Sequence, residues 1–221
     1  MGAVVTTVAN YLALIRGPWR RMKEEHFGRA DTHLHAKDLN GAPRDLLDPI
    51  RDFFLHSDFN RVGRGFTHAT THPGQQLVEA SSDLRGNDEL MASFALALMP
   101  KIAEAIPTTS YARAFMIFEA TDRLRARYSR VFGTYHFAIQ NDTGLHPIPT
   151  EKFFSPSKLA EPGVEVADFV AYAAGRQARA SLAGRHADVP EWVRAVWTPP
   201  QGRFLSVSTM QLDPTESPKP R

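Results

Sequence analysis

Apolar and polar residues along this chain follow two periods, one helical and one extended. Residues 1–8, MGAVVTTV, are β-branched and predict a strand with no polar lead-in. Helical spacing follows from Leu12 to Phe27, interrupted near its first turn by Gly17-Pro18 and closed by Gly28. Thr32 to His35 reads as a short strand running into AKDLNG. Pro43 to His56 predicts an amphipathic helix with Leu46, Leu47, Ile50, Phe53 and Phe54 inward, kinked or broken at Pro49. A strand is expected from Arg61 to Thr70, followed by a polar loop rich in Gly and Pro.

Asp88 to Ile106 gives the clearest helical signal, with Leu90, Phe94, Leu98 and Ile102 at intervals of four, and Pro107 ends it. Arg113 to Glu119, RAFMIFE, is nearly continuous in apolar residues and predicts a strand covered on both faces in the middle of a sheet. Ala120 to Phe132 returns to helical, Arg-rich character, and Thr134 to Gln140 is a further strand. Pro147 to Pro162 is expected to be a loop feeding a short helix, Val164 to Arg176. In that helix Val166, Phe169, Val170 and Ala173 form an apolar stripe, while Glu165, Asp168, Tyr172 and Arg176 share another face. The second face is either a solvated polar face near a helix N-terminus, where acids are favoured, or the wall of a site. Glu191 to Trp197 predicts a short helix and Arg203 to Leu212 a last edge strand. The fold expected is an α/β mixed sheet flanked by helices, one domain over residues 1–212, with a polar, Pro-rich tail at 213–221 that does not fold alone.

Composition narrows the function classes. The chain has 221 residues, 43% of them hydrophobic, enough for one ordinary core. Lys and Arg number 26 against 24 Asp and Glu, so the formal charge is only +2 and does not by itself predict a nucleic-acid partner. The arginines nevertheless cluster, at Arg16, Arg20 and Arg21, at Arg123, Arg125, Arg127 and Arg130, and at Arg176, Arg179 and Arg185. Such clusters either track a phosphate backbone or are solvated helix faces. Without cysteine, the chain has no disulfide, thiolate metal site or Cys nucleophile. A cytoplasmic protein without a membrane span is expected.

Several residues could carry chemistry. Glu119 closes the apparently central strand, where sites gather in open α/β sheets, and a buried acid there needs either Arg123 or a cation beside it. In THLHAKDL, His33 and His35 fall on one side of an extended segment. They are either a metal-binding pair with Asp38 as a third ligand, or one buried and one edge histidine. His68 and His72 have no partner signature, and Asp142 is most simply a turn residue. No Walker-type glycine loop, Gly-x-Ser-x-Gly elbow or His-Glu-x-x-His helix is present, which removes the main support for nucleoside triphosphatases, α/β-hydrolases and zincins.

In order along residues 1–180, the strand MGAVVTTV, the HAKDL segment, the strand-end IFEATDR, a loop Lys and the helix around VEVADFVAY resemble the domain of unknown function 3800 family. That resemblance implies a ribonuclease-H-like fold whose carboxylates converge on divalent metal. It carries Glu119, Asp168 and Lys158 as catalytic residues, with Arg123, Lys37 and His35 beside the substrate. Glu119, Asp168 and Glu165 are the implied metal ligands, Glu165 standing where the family usually has Gln. The family normally opens with an Asp-Glu-Ser-Gly strand, which is not found here, so the first strand is expected to be missing. Either translation starts upstream of Met1 or the protein naturally lacks that ligand.

The function implied is a Mg²⁺- or Mn²⁺-dependent nuclease or related phosphodiester-processing protein acting on nucleic acid. Hard cations prefer oxygen ligands, and paired ions are held about 3.5–4 Å apart. The alternative is a non-catalytic interaction protein that retains the fold without a complete metal site. A His-based metallohydrolase using His33 and His35 would need a further ligand.

Overall fold

A computed structural model describes residues 1–68, 88–106, 112–119, 122–141, 144–156, 161–184, 189–198 and 205–212. The first strand, β1 (Gly2–Val5), leads into α1 (Val8–Asn10), where the Thr7 hydroxyl caps the helix by accepting from the Asn10 amide at 3.1 Å. A π-helical turn, Tyr11–Arg16, then joins α2 (Gly17–Phe27). The wide turn has a local cause. Pro18 has no N–H for the carbonyl four residues back, and the Gly17 amide reaches instead to Leu12, five residues back. Gly28, at φ +81°, ends α2 in the left-handed conformation that glycine adopts without penalty.

Three sheets form. β1 runs antiparallel to β2 (Asn60–His68), with Gly2 opposite Gly63, and β2 runs parallel to the edge strand β7 (Leu205–Leu212). Separately, β3 (Ala114–Glu119) pairs in parallel with β6 (Thr150–Ser155), placing Glu119 opposite Ser155. A small antiparallel pair joins β4 (Phe137–Asn141) to β5 (Gly144–Ile148). The helices between them are α3 (Arg44–His56), α4 (Asp88–Ala105), α5 (Asp122–Phe132), α6 (Pro162–Leu182) and α7 (Glu191–Val196). The architecture is mixed α/β.

Helix α6 lies directly across β1 and β2. Two glycines make the approach possible: a Cβ on Gly2 would strike the backbone of Ala167 and Ala171, and one on Gly63 would strike Trp197 and Ala174. The expected stripe Val166, Phe169, Val170 and Ala173 is completely buried, and it packs with Ile15 and Trp19 of the preceding helical segments, Ile50 and Phe54 of α3, and Trp192 and Val193 of α7. Burial of each large apolar side chain in this layer contributes about 1.5–3 kcal/mol. On the opposite face, Val62 packs with Leu98 and Ala105 of α4. Between α3 and α7, the buried Arg61 guanidinium donates to the Phe54, Ser57, Ala195 and Val196 carbonyls and lies against the Phe54 and Phe59 rings.

Four expectations need correction. Thr32 to His35 is extended but joins no sheet among the described residues; the Leu34 amide donates to a side chain, as does that of Ala36, which opens the 3₁₀ turn Ala36–Leu39. Helix α3 is not broken at Pro49, because a single lost amide does not outweigh the burial of Ile50, Phe53 and Phe54; the alternative expectation of a kink is not contradicted. Among the described residues strand β3 has one partner and one covered face: Met116 is buried, whereas Phe115 and Ile117 are about half exposed. The stretch from Pro147 contains the end of β5 and all of β6 rather than a loop. The tail and His72 lie outside the described residues, as does the side chain of His68. Among the described residues no helix is long and apolar enough to cross a membrane.

Candidate functional site

The site is built where α6 crosses the start of β1. Asp168 comes from the first half of α6, on the side away from the buried stripe, and its Oδ2 accepts from the Ala36 amide at 3.1 Å. The same oxygen is 3.5 Å from His35 Nδ1, with both side chains about one-third exposed. His33 follows on the same side of the extended segment, its ring centroid 4.2 Å from that of His35 and nearly perpendicular to it. Leu34 and Ala36, the alternate residues, are buried in the core. The histidine pair is thus displayed by a segment whose other side is anchored.

Glu119 approaches from the carboxyl end of β3. It is half-buried, and that burial, followed by the negative charge of Asp168, raises its pKa above the ordinary glutamate value. His35 and His33 act on it in the opposite direction, and Glu165 adds a smaller upward push. Glu119 thus lies in the field of Asp168 and of two imidazoles at once. The Met1 amino group also faces this region, donating to the Arg64 carbonyl at 3.1 Å, and burial lowers its pKa to about 6 against the opposing pull of Asp168.

Glu165, expected beside Asp168 as a metal ligand, is turned into the core and is 2% exposed. Its Oε2 accepts from Lys23 Nζ at 2.6 Å and Trp19 Nε1 at 2.8 Å, while Oε1 accepts from the Leu34 amide at 2.9 Å. Both oxygens are engaged. Lys23, itself fully buried, also donates to the Thr32 carbonyl at 2.9 Å. Tyr172, the next residue on the expected polar face, stacks on Trp192 at 5.6 Å and 11°. That face is therefore no continuous site wall, because α2, the His segment and α7 each cover part of it.

Lys37 and Asp38 lie on the 3₁₀ turn and are exposed. Lys158 and the side chain of Arg123 fall outside the described residues. Trp19 and Lys23 are the residues that sequence reasoning missed. Their signal was a lysine one turn beyond Trp19 on a helix whose inward positions also include Ile15 and Met22; a cation on an apolar stripe calls for a buried partner. Among the described residues, no three His, Asp or Glu side chains are close enough to enclose a metal ion. Asp168, His35 and His33 are instead in direct succession, and Glu119 interacts with them through charge.

Comparison with protein-family models, curated protein sequences and solved structures finds no match for this chain.

Proposed function

We propose that the protein is a divalent-cation-dependent nuclease or phosphodiester-processing protein of ribonuclease-H-like fold, with Asp168 and Glu119 at its centre. One observation carries the proposal: the helix acid Asp168 stays partly exposed 3.5 Å from His35 Nδ1, on the side from which its charge reaches the half-buried strand-end acid Glu119. Keeping two negative charges together is unfavourable, and a bound cation would relieve it. A mixed sheet with α6 across it, parallel pairing of β3 with β6 and antiparallel pairing of β1 with β2 support the fold.

The donor set fits Mg²⁺ or Mn²⁺ in a restricted way. Magnesium is usually bound through one or two carboxylates plus substrate phosphates rather than by a complete protein cage. Asp168 and Glu119 would hold the ion, and phosphate oxygens of a nucleic-acid substrate would complete its shell. When bound, the ion polarises the phosphoryl group and lowers the pKa of attacking water. Asp168 orients the His35 ring through Nδ1, leaving Nε2 available to take or give a proton at the phosphate. Lys37, exposed next to His35, would face substrate phosphate, with Arg123 and Lys158 expected in similar roles. Glu165 is left out of the ion's shell because its oxygens are already used.

The test is hydrolysis of single-stranded and duplex oligonucleotides with Mn²⁺ or Mg²⁺, against a chelator control. Cation-dependent cleavage lost in Asp168→Asn supports the enzyme. The absence of any three-donor cluster among the described residues favours a second possibility, a non-catalytic interaction protein. Oligonucleotide binding without cleavage, unchanged by chelator and by Asp168→Asn, would select it.

A further inference from the structure

We infer that Glu165 is a positioning residue that sets the register of the histidine segment against Asp168. This role builds on the site proposed above but concerns its assembly rather than its chemistry. Glu165 and Asp168 stand one turn apart on α6 and accept from the amides of Leu34 and Ala36, two residues apart in the extended segment. Amides at i and i+2 of an extended chain point the same way, so two acids on one helix face grip one edge of the segment. A slip of one residue would turn His33 and His35 inward and Leu34 outward. Pairing to both acids excludes it.

Glu165 can do this only because its negative charge is balanced where it lies. Lys23 and Trp19, one turn apart on α2, bind its other oxygen, and Lys23 also holds the Thr32 carbonyl, so the segment is fixed from both its carbonyl and its amide side. No substrate needs to touch Glu165. Its influence passes through Leu34 to Ala36 and so to the oxygen of Asp168 that faces His35.

The test compares two variants of the full chain that both remove the buried ion pair, Lys23→Met with Glu165→Gln and Lys23→Met with Glu165→Leu. The first keeps an oxygen for the Leu34 amide and the second does not. Replacing a buried ion pair by groups of similar volume is often tolerated, so both are expected to fold. Amide hydrogen exchange and the proton chemical shift of Ala36, a residue that neither substitution touches, are read by NMR. In the Leu variant the Ala36 amide should exchange at least about tenfold faster and lose its carboxylate-bonded shift, while the Gln variant retains both. A Val193→Ala variant, which weakens the same core without touching the segment, should leave the Ala36 shift unchanged. Equal Ala36 behaviour in the Gln and Leu variants, or the same loss in Val193→Ala, would overturn the assignment. Should the Leu variant fail to fold, Lys23→Met with Glu165→Met, whose unbranched side chain fills the space of the glutamate without an acceptor oxygen for the Leu34 amide, gives the same comparison with the same deciding outcomes. Because the Ala36 amide is read without metal or nucleic acid, failure here is separable from failure of the nuclease assignment.

Discussion

Glu165 and Asp168, one turn apart on α6, have opposite fates: the first is sealed in the core against Lys23 and Trp19, and the second stays one-third exposed beside His35. Neighbours on one helix face are thereby divided between the sealed core and a partly exposed position. The division predicts different responses to mutation.

Glu165→Ala should destabilise the fold by about 3–5 kcal/mol, since it leaves the Lys23 ammonium buried without its carboxylate. Lys23→Met combined with Glu165→Ala should cost less than the sum of the two single losses, because the pair is then removed together. Urea unfolding of the two single variants and the double variant measures the coupling. Additive costs would mean that the pair contributes nothing as a pair.

Arg61→Met should cost at least about 3 kcal/mol. The guanidinium donates to carbonyls at the ends of α3 and α7, and a thioether leaves those acceptors buried without a donor. Burial lowers the Arg61 pKa to about 10, so it remains charged at neutral pH. Thermal unfolding of the variant checks the size of the effect, and a loss within about 0.5 kcal/mol, the range of a surface change, would contradict it.

Glu119 makes stability depend on pH in a defined direction. Burial and Asp168 raise its folded pKa above the value of about 4.3 that an unfolded glutamate has. Between the two values the folded state binds more protons, so the Glu119 contribution falls as pH rises through that window. Glu119→Gln should remove this component, and Asp168→Asn should shrink it by removing a nearby charge. Denaturant unfolding from about pH 4 to about pH 7 shows the difference between native and variant slopes. Parallel slopes would contradict the assigned cause.

The sequence was most legible where one face of an element meets the core. Val166, Phe169, Val170 and Ala173 repeat at helical spacing and all are buried, so the helix carrying Asp168 was visible in periodicity alone. The same periodicity grouped Glu165 with Asp168, and only the packing of Trp19, Lys23 and Leu34, each more than a hundred positions away, separates them. Thr32 to His35 looked like a strand because β-type alternation records an extended backbone, not what its amides bond to. In RAFMIFE the apolar run could not distinguish a strand covered twice from one whose Phe115 and Ile117 stay open beside Phe153. Prolines 147 and 149 suggested a loop, yet Pro147 fits within a two-stranded pair that has open edges, and Pro149 precedes β6.

If Asp168 and Glu119 jointly hold a divalent cation, as proposed, calorimetric titration of the full chain with Mn²⁺, alone and with a non-cleavable oligonucleotide, reads that binding without turnover. The native protein should bind Mn²⁺ more tightly when the oligonucleotide supplies phosphate oxygens, and Asp168→Asn and Glu119→Gln should each weaken binding by at least about tenfold. Mn²⁺ affinity equal in the native protein and both variants, or no binding by the native protein even with oligonucleotide, would contradict it.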